Sequence, residues 1–120
     1  MTILSRTAEE LLPLRPVVFH VLLSLADGER HGYAIVQDIV ERSNGAIRLE
    51  PGNLYRHLKT MLDDRLIEES ERRPVPGKDD ERRRYYRLTT RGVAVAKAEV
   101  GRLEGQLAAA RTRRLLKGRA

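Results

Sequence analysis

The run Pro51-Gly52-Asn53-Leu54-Tyr55-Arg56-His57-Leu58-Lys59-Thr60-Met61-Leu62-Asp63-Asp64 decides the fold. Its apolar residues Leu54, Leu58, Met61 and Leu62 fall at i, i+4, i+7 and i+8, the spacing of one helix face. Pro51 suits a first helical turn, where its missing N–H costs nothing. The opposite side carries Asn53, Arg56, His57, Lys59 and Thr60. That side has hydrogen-bond donors, a net positive charge and no carboxylate. Such a helix buries one face on a core and presents the other to a partner.

Upstream, Pro16 opens a segment that is apolar nearly all round from Val17 to Leu25, as expected of a helix at the centre of a small fold. Asp27-Gly28 ends it as a turn. A further helix runs from about His31 to Ser43, with Tyr33, Val36, Ile39 and Val40 on one stripe. Asn44-Gly45 closes it with residues that tolerate positive φ. Before Pro16, Leu4, Ala8, Leu11 and Leu12 recur at helical spacing over 4–14, with Thr7 as the cap and Pro13 as the stop.

Downstream, Leu66-Ile67 starts a strand to about Arg73. Residues 74–80 read as a loop, and Arg82 to Leu88 returns antiparallel. In that strand Arg84, Tyr86 and Leu88 share one side and Arg83, Tyr85 and Arg87 the other. Thr89-Thr90 caps a last helix whose Val93, Ala96, Val100, Leu103, Leu107 and Ala110 are spaced 3-4-3-4-3. This is a heptad-like seam. Gly101 and Gly105 sit beside it, each costing up to about 1 kcal/mol relative to Ala unless a close helix contact uses them.

The predicted architecture is mostly α with a small two-stranded antiparallel wing. A winged helix-turn-helix occupies residues 16–90, a short N-terminal helix lies within 1–15, and a dimerisation helix occupies 91–120. The seam of the last helix is too long to hide on so small a core, and burial against a second copy is the simplest solution.

Composition agrees. The chain has 120 residues, 23 Lys+Arg, 17 Asp+Glu and a net charge of +6. Residues 1–60 balance at 7 basic and 7 acidic, 61–81 carry 4 and 8, and 82–120 carry 12 and 2. A block of that asymmetry points to a polyanion, with a solvated basic helix end as the plain alternative. Zero cysteine excludes disulfides and thiolate chemistry. No apolar run reaches the roughly 20 residues of a membrane span, so a cytoplasmic protein with no membrane partner is expected. His20, His31 and His57 lie at no metal-ligand spacing, and no phosphate-binding glycine loop or nucleophile turn is present. Neither an enzyme nor a metal or other cofactor is expected.

The segments His31-Gly32-Tyr33-Ala34-Ile35, Pro51-Gly52-Asn53-Leu54-Tyr55 with Leu58, Leu66-Ile67, and Arg84-Tyr85-Tyr86-Arg87-Leu88-Thr89 with Gly92 together resemble the PadR family of bacterial transcriptional regulators. The resemblance spans residues 16–92 and is carried by four motifs in order. It implies double-stranded DNA as partner and a homodimer formed through the last helix and the N-terminal one, here Leu4, Leu11 and Leu12. It also implies a backbone-contacting role for Tyr55. Asn53 departs from the family's Thr or Ser, and Arg65 from the Gly that usually precedes Leu-Ile, so a different turn is expected there.

On this reading the helix from Pro51 enters the major groove. Arg56 could read guanine, Asn53 adenine, and Lys59 could pair with phosphate, with His57 and Thr60 on the same face. N–H groups around His31, Gly32 and Tyr33 could meet a phosphate. Gly77 and Lys78 at the wing tip would approach the minor groove or the flanking backbone, and Arg82 and Arg83 would add phosphate attraction, although Asp79, Asp80 and Glu81 offset that charge. Tyr33 reads better as a core residue than as a direct contact. Tyr86 and Leu88 read as wing packing, Arg84 as a partner of Glu68 or Glu69, and the run from Arg111 to Arg114 as a solvated end.

A repressor binding an inverted repeat is expected, since occupancy of a promoter suffices and no second domain is seen. The alternatives are a protein-binding winged helix, which would want a neutral or acidic face here, and an architectural DNA-binding protein without ligand control. Release by a small-molecule effector is a further expectation, although no effector site has a signature. With no Trp the chain cannot sandwich a drug between indoles, so either an unrelated effector site or regulation by abundance is expected.

Overall fold

The computed structural model of the chain describes residues 7–71 and 84–117. Four helices surround a small sheet: α1 (Pro16–Leu25), β1 (Arg30–His31), α2 (Gly32–Arg42), α3 (Pro51–Asp63), β2 (Ile67–Glu69), β3 (Tyr85–Leu88) and α4 (Thr90–Thr112). Pro16 and Pro51 each occupy the first turn of their helix. Val21, Leu22 and Leu25 of α1, Ile35 and Ile39 of α2, Leu54, Leu58 and Met61 of α3 and Val95 of α4 form the core. The apolar stripe of α3 is buried as its spacing predicts, with Leu62 at the edge.

The sheet has three antiparallel strands in the order β1-β3-β2, where the sequence suggests a two-stranded wing. Arg30 pairs with Tyr86 and His31 with Tyr85, and Ile67, Glu68 and Glu69 face Leu88, Arg87 and Tyr86. The third strand ties the start of α2 to the wing. Tyr85 and Tyr86 are both buried, so the expected alternation fails at this pair, and Tyr85 packs edge-on against the His31 ring at 5.3 Å. Arg84 pairs with Glu69 at 3.6 Å and Arg87 with Glu68 at 2.8 Å. Much of the basic charge at the base of the wing is thereby neutralised.

Within the described residues, the N-terminal helix expected over 4–14 is one 3₁₀ turn, Glu9–Leu11. Thr7 and Glu10 cap each other reciprocally: the Thr7 N–H donates to Glu10 Oε1 and the Glu10 N–H to Thr7 Oγ1. Pro13 then stops the turn, since its ring is incompatible with a continuing helix. Leu11 and Leu14 pack onto the core.

Three helices end in the same left-handed turn. Asn44 (φ 52°), Arg65 (φ 59°) and Arg114 (φ 62°) follow α2, α3 and α4. After α3, the Leu66 N–H donates to Met61 O and the Arg65 N–H to Leu62 O, which satisfies the last carbonyls. Arg65 therefore adopts the conformation a glycine would, and the different turn expected from its identity does not occur.

This turn is also where α4 docks. The Thr89 N–H donates to Leu66 O, Thr89 Oγ1 to Arg65 O, and Arg91 Nε to Asp64 O. Thr89 in turn caps α4 by accepting from the Gly92 N–H at 2.9 Å. A Cβ on Gly92 would lie 2.0 Å from Leu66 O, so only glycine allows this approach.

Two polar groups fasten the helices. Between α1 and α2, Ser24 Oγ and Arg42 Nε both donate to Asp38 Oδ2, and Arg42 Nη2 donates to His20 O and Ser24 Oγ. Arg42 Nη1 lies 3.0 Å from His20 Nδ1; a guanidinium only donates, so that nitrogen carries the lone pair. Burial and the Arg42 charge hold the His20 pKa below its ordinary value.

On α4, the Glu99 carboxylate is 2% exposed. It accepts from Arg102 Nε and Nη2 and from the Leu14 N–H, 85 positions away. The Arg102 hydrogen bonds hold its pKa below the usual carboxylate value against the opposing effect of burial. Its stabilisation is therefore complete above the ordinary Glu range and is lost as pH falls through the lowered pKa.

These contacts predict the effects of three substitutions. In urea unfolding at neutral pH, Gly92→Ala should destabilise by roughly 3 kcal/mol from the forced displacement of Leu66. Arg65→Gly should stabilise by up to ~1 kcal/mol by relieving a left-handed side chain. Glu99→Gln should cost about 1–3 kcal/mol at pH 7. It should also flatten the decline in stability that the wild type shows below pH 5.

Candidate nucleic-acid interface

The exposed side of α3 follows from its buried one. With Leu54, Leu58 and Met61 turned inward, Asn53, Arg56, Lys59 and Thr60 face outward, and His57 sits half-buried at the edge. Arg56 Nη2 donates to Asn53 Oδ1 one turn earlier. Thr60 Oγ1 donates to Arg56 O. Lys59 Nζ lies 3.6 Å from Asp63 Oδ2, so the face does include a carboxylate at its C-terminal end. An i, i+4 pair this exposed contributes little to stability, and its lysine is easily recruited by another anion. Burial, then Arg15 and Arg56, hold the His57 pKa below its ordinary value. Arg15, just before α1, thus adds a cation beside α3 that periodicity does not flag.

Tyr33 and Tyr55 flank the start of this face and are 59% and 55% exposed. The core position expected for Tyr33 is not found. The buried side of α2 is Gly32, Ile35 and Ile39, and Tyr33 Oη accepts from Gln37 Nε2 on the surface. Gly32 lies against Tyr55, whose Oη would be in ordinary van der Waals contact, 3.4 Å, with a Cβ there. Tyr33, Val36, Leu49, Pro51, Leu54, Tyr55 and Gly32 line a cleft of about 390 Å³ where the N-termini of α2 and α3 meet. The positive ends of two helix dipoles therefore lie close to both tyrosines.

His31 is built into the fold. Its Nδ1 accepts from the Ala34 N–H and caps α2, while its ring stacks parallel to Tyr33 at 6.5 Å. The helix begins one residue later than expected because His31 is the cap itself. Gly77, Lys78, Arg82 and Arg83, named from sequence as wing contacts, lie outside the described residues, as does Leu4. Among the described residues no group of His, Asp and Glu could hold a metal ion, and no helix is long and apolar enough to cross a membrane.

A second surface lies along α4. Its inward line is Gly92, Val95 and Glu99. Val93, Val100 and Leu107 of the heptad-like seam are 38%, 42% and 45% exposed, with Ala96, Leu103 and Ala110 half-buried between them. Leu23, Ala26, Leu88, Val93, Ala96 and Val100 line an apolar cleft of about 390 Å³ that opens on this side, rimmed by Lys97 and Glu104.

Solved structures share this arrangement. A PadR family transcription regulator from Clostridium difficile superposes with a TM-score of 0.66 at 21% identity, over 80% of this chain and 95% of that one. RosR from H. salinarum gives 0.60 at 28% identity over 82% and 78%. Bacillus subtilis PadR, solved in complex with operator DNA, gives 0.61 at 24% identity over 72% of this chain and 47% of that longer one. No curated protein matches the chain. The sequence pattern of the Transcriptional regulator PadR-like family matches residues 21–98, well over half of the chain. The chain therefore belongs to the PadR-like family of transcriptional regulators, a family of regulators and not of enzymes.

Proposed function

We propose that this protein is a sequence-specific DNA-binding repressor that acts as a homodimer on an inverted repeat. The observation that carries the proposal is the outward face of α3. It presents Asn53, Arg56, Lys59 and Thr60 together, next to two helix N-termini and two exposed tyrosines. An α-helix of this kind fits the major groove, where base edges are distinguishable. Arg56 is the residue for a guanine. Lys59 exchanges Asp63 for a phosphate. Tyr33 and Tyr55 lie where the sugar-phosphate backbone would pass, and the N–H groups at the start of α2 favour its charge. The wing residues Gly77, Lys78, Arg82 and Arg83 would reach the flanking backbone.

The homodimer reading rests on α4. Val93, Ala96, Val100, Leu103, Leu107 and Ala110 give a stripe over about three heptads in which Val93, Val100 and Leu107 are exposed, while Ala96 packs on the subunit's own core. Leu11 packs onto that core, so less of it is left for the contact; Leu12 would join the contact beside it. A two-fold dimer places two copies of α3 about one helical turn of DNA apart, or a multiple of it. Repression then needs only occupancy of a promoter. The apolar cleft along α4 offers room for a small-molecule effector between the two subunits.

Fluorescence anisotropy on the protein's own upstream intergenic DNA, against a scrambled duplex at several salt concentrations, tests this reading. Preferential binding that weakens steeply with salt is expected. Lys59→Ala should weaken binding to both duplexes and reduce the salt slope by about 1, whereas Arg56→Ala should cost about 1–3 kcal/mol on the specific duplex only. Equal losses on both duplexes for both variants would contradict the assignment. Independently, Val100→Glu should convert a dimer to a monomer in sedimentation velocity while leaving the helical circular-dichroism signal unchanged.

A further inference from the structure

We propose that Asn53 does not read a base but positions Arg56, so that the two residues form one recognition unit for a single guanine. This rests on the DNA-binding reading above and assigns roles within it.

Asn53 and Arg56 are one turn apart on the outward side of α3, and the guanidinium donates through Nη2 to the amide oxygen. Among the described residues Arg56 has no carboxylate partner, unlike Lys59, which faces Asp63. The amide is neutral, so it orients Arg56 without cancelling its charge. A guanidinium has five N–H donors in a fixed plane, and this contact uses one. An intact pair of donors is left, which is what the O6 and N7 acceptors of guanine require.

The same bond removes Asn53 from direct readout. A bidentate contact to adenine needs both the amide oxygen and the amide nitrogen. Here the oxygen already accepts from Arg56, which uses one of its two lone pairs and fixes the amide toward the Arg56 side. Turning both ends of the amide onto an adenine edge would break that contact and disorganise the stronger one. An unrestrained arginine loses more side-chain freedom on binding than almost any other residue, so holding it beforehand lowers that cost. The backbone carbonyl of Arg56 also accepts from Thr60 Oγ1, which directs the Thr60 hydroxyl hydrogen back into the helix. Arg56 is thus the outward donor at the middle of the face.

Random 20-base-pair duplexes selected on the full-length protein, followed by sequencing, test the proposal. The wild type should enrich a guanine at one position of each half-site. Arg56→Ala should lose that preference by roughly 10-fold or more, and Asn53→Ala should reduce it at the same position by roughly 3- to 10-fold. Asn53→Asp keeps the acceptor and should retain the guanine preference while weakening binding to every sequence. Both sites are exposed, and unchanged thermal melting will show that the three variants fold. Loss of an adenine preference at a different position in Asn53→Ala would overturn the proposal. So would an unchanged sequence preference in that variant. Enrichment of no sequence by the wild type would instead overturn the DNA-binding reading, and the proposal with it.

Discussion

The contact of Gly92 with the Leu66 carbonyl fixes the relation of every functional part. Leu66 closes the turn after α3, precedes β2, and accepts the Thr89 N–H at the start of α4. The outward face of α3, the wing and the seam of α4 therefore meet at one backbone position. A side chain on residue 92 would separate them. In the homodimer proposed above, this junction would let the packing of α4 set the spacing between two copies of α3.

The polar groups divide between holding the fold and leaving it open to a partner. His20, Ser24, Asp38 and Arg42 satisfy one another between α1 and α2, and Glu99, held by Arg102 on its own helix, ties the N-terminal segment to α4 by accepting from the Leu14 N–H. Buried polar groups of this kind are stabilising only when fully matched. The residues of α3 are different. Lys59 is held by one loose pair and Arg56 by a neutral amide, arrangements that a phosphate or a base edge can use without a large penalty.

Much of the fold is legible in the sequence because its signals are local. The i, i+4, i+7 spacing of Leu54, Leu58 and Met61, prolines at two helix starts, the Thr89 cap and the Asn44-Gly45 stop each report their own element. The strand Arg30–His31 is not legible, since two residues carry no periodicity and their pairing depends on Tyr85 and Tyr86, more than fifty positions away. Tyr33 misleads because periodicity counts an aromatic ring as core, while its place at the first turn of α2 turns it outward. Glu99 resembles any surface glutamate until the Leu14 N–H is brought to it by the tertiary fold. The outward face of α3 follows from its spacing, although Asp63, at i+4 from Lys59, adds the carboxylate that the sequence reading of that face leaves out. The Asn53–Arg56 bond depends on rotamers that residue types alone do not give.

Hydroxyl-radical footprinting on a duplex bound by the wild-type protein tests the central claim most directly. The account predicts two protected patches on one face of the DNA, related by a two-fold axis and centred one helical turn or a multiple of it apart. Each should be lost when the exposed side of α3 is altered. A single unsymmetrical patch, or uniform protection along the duplex, would contradict it.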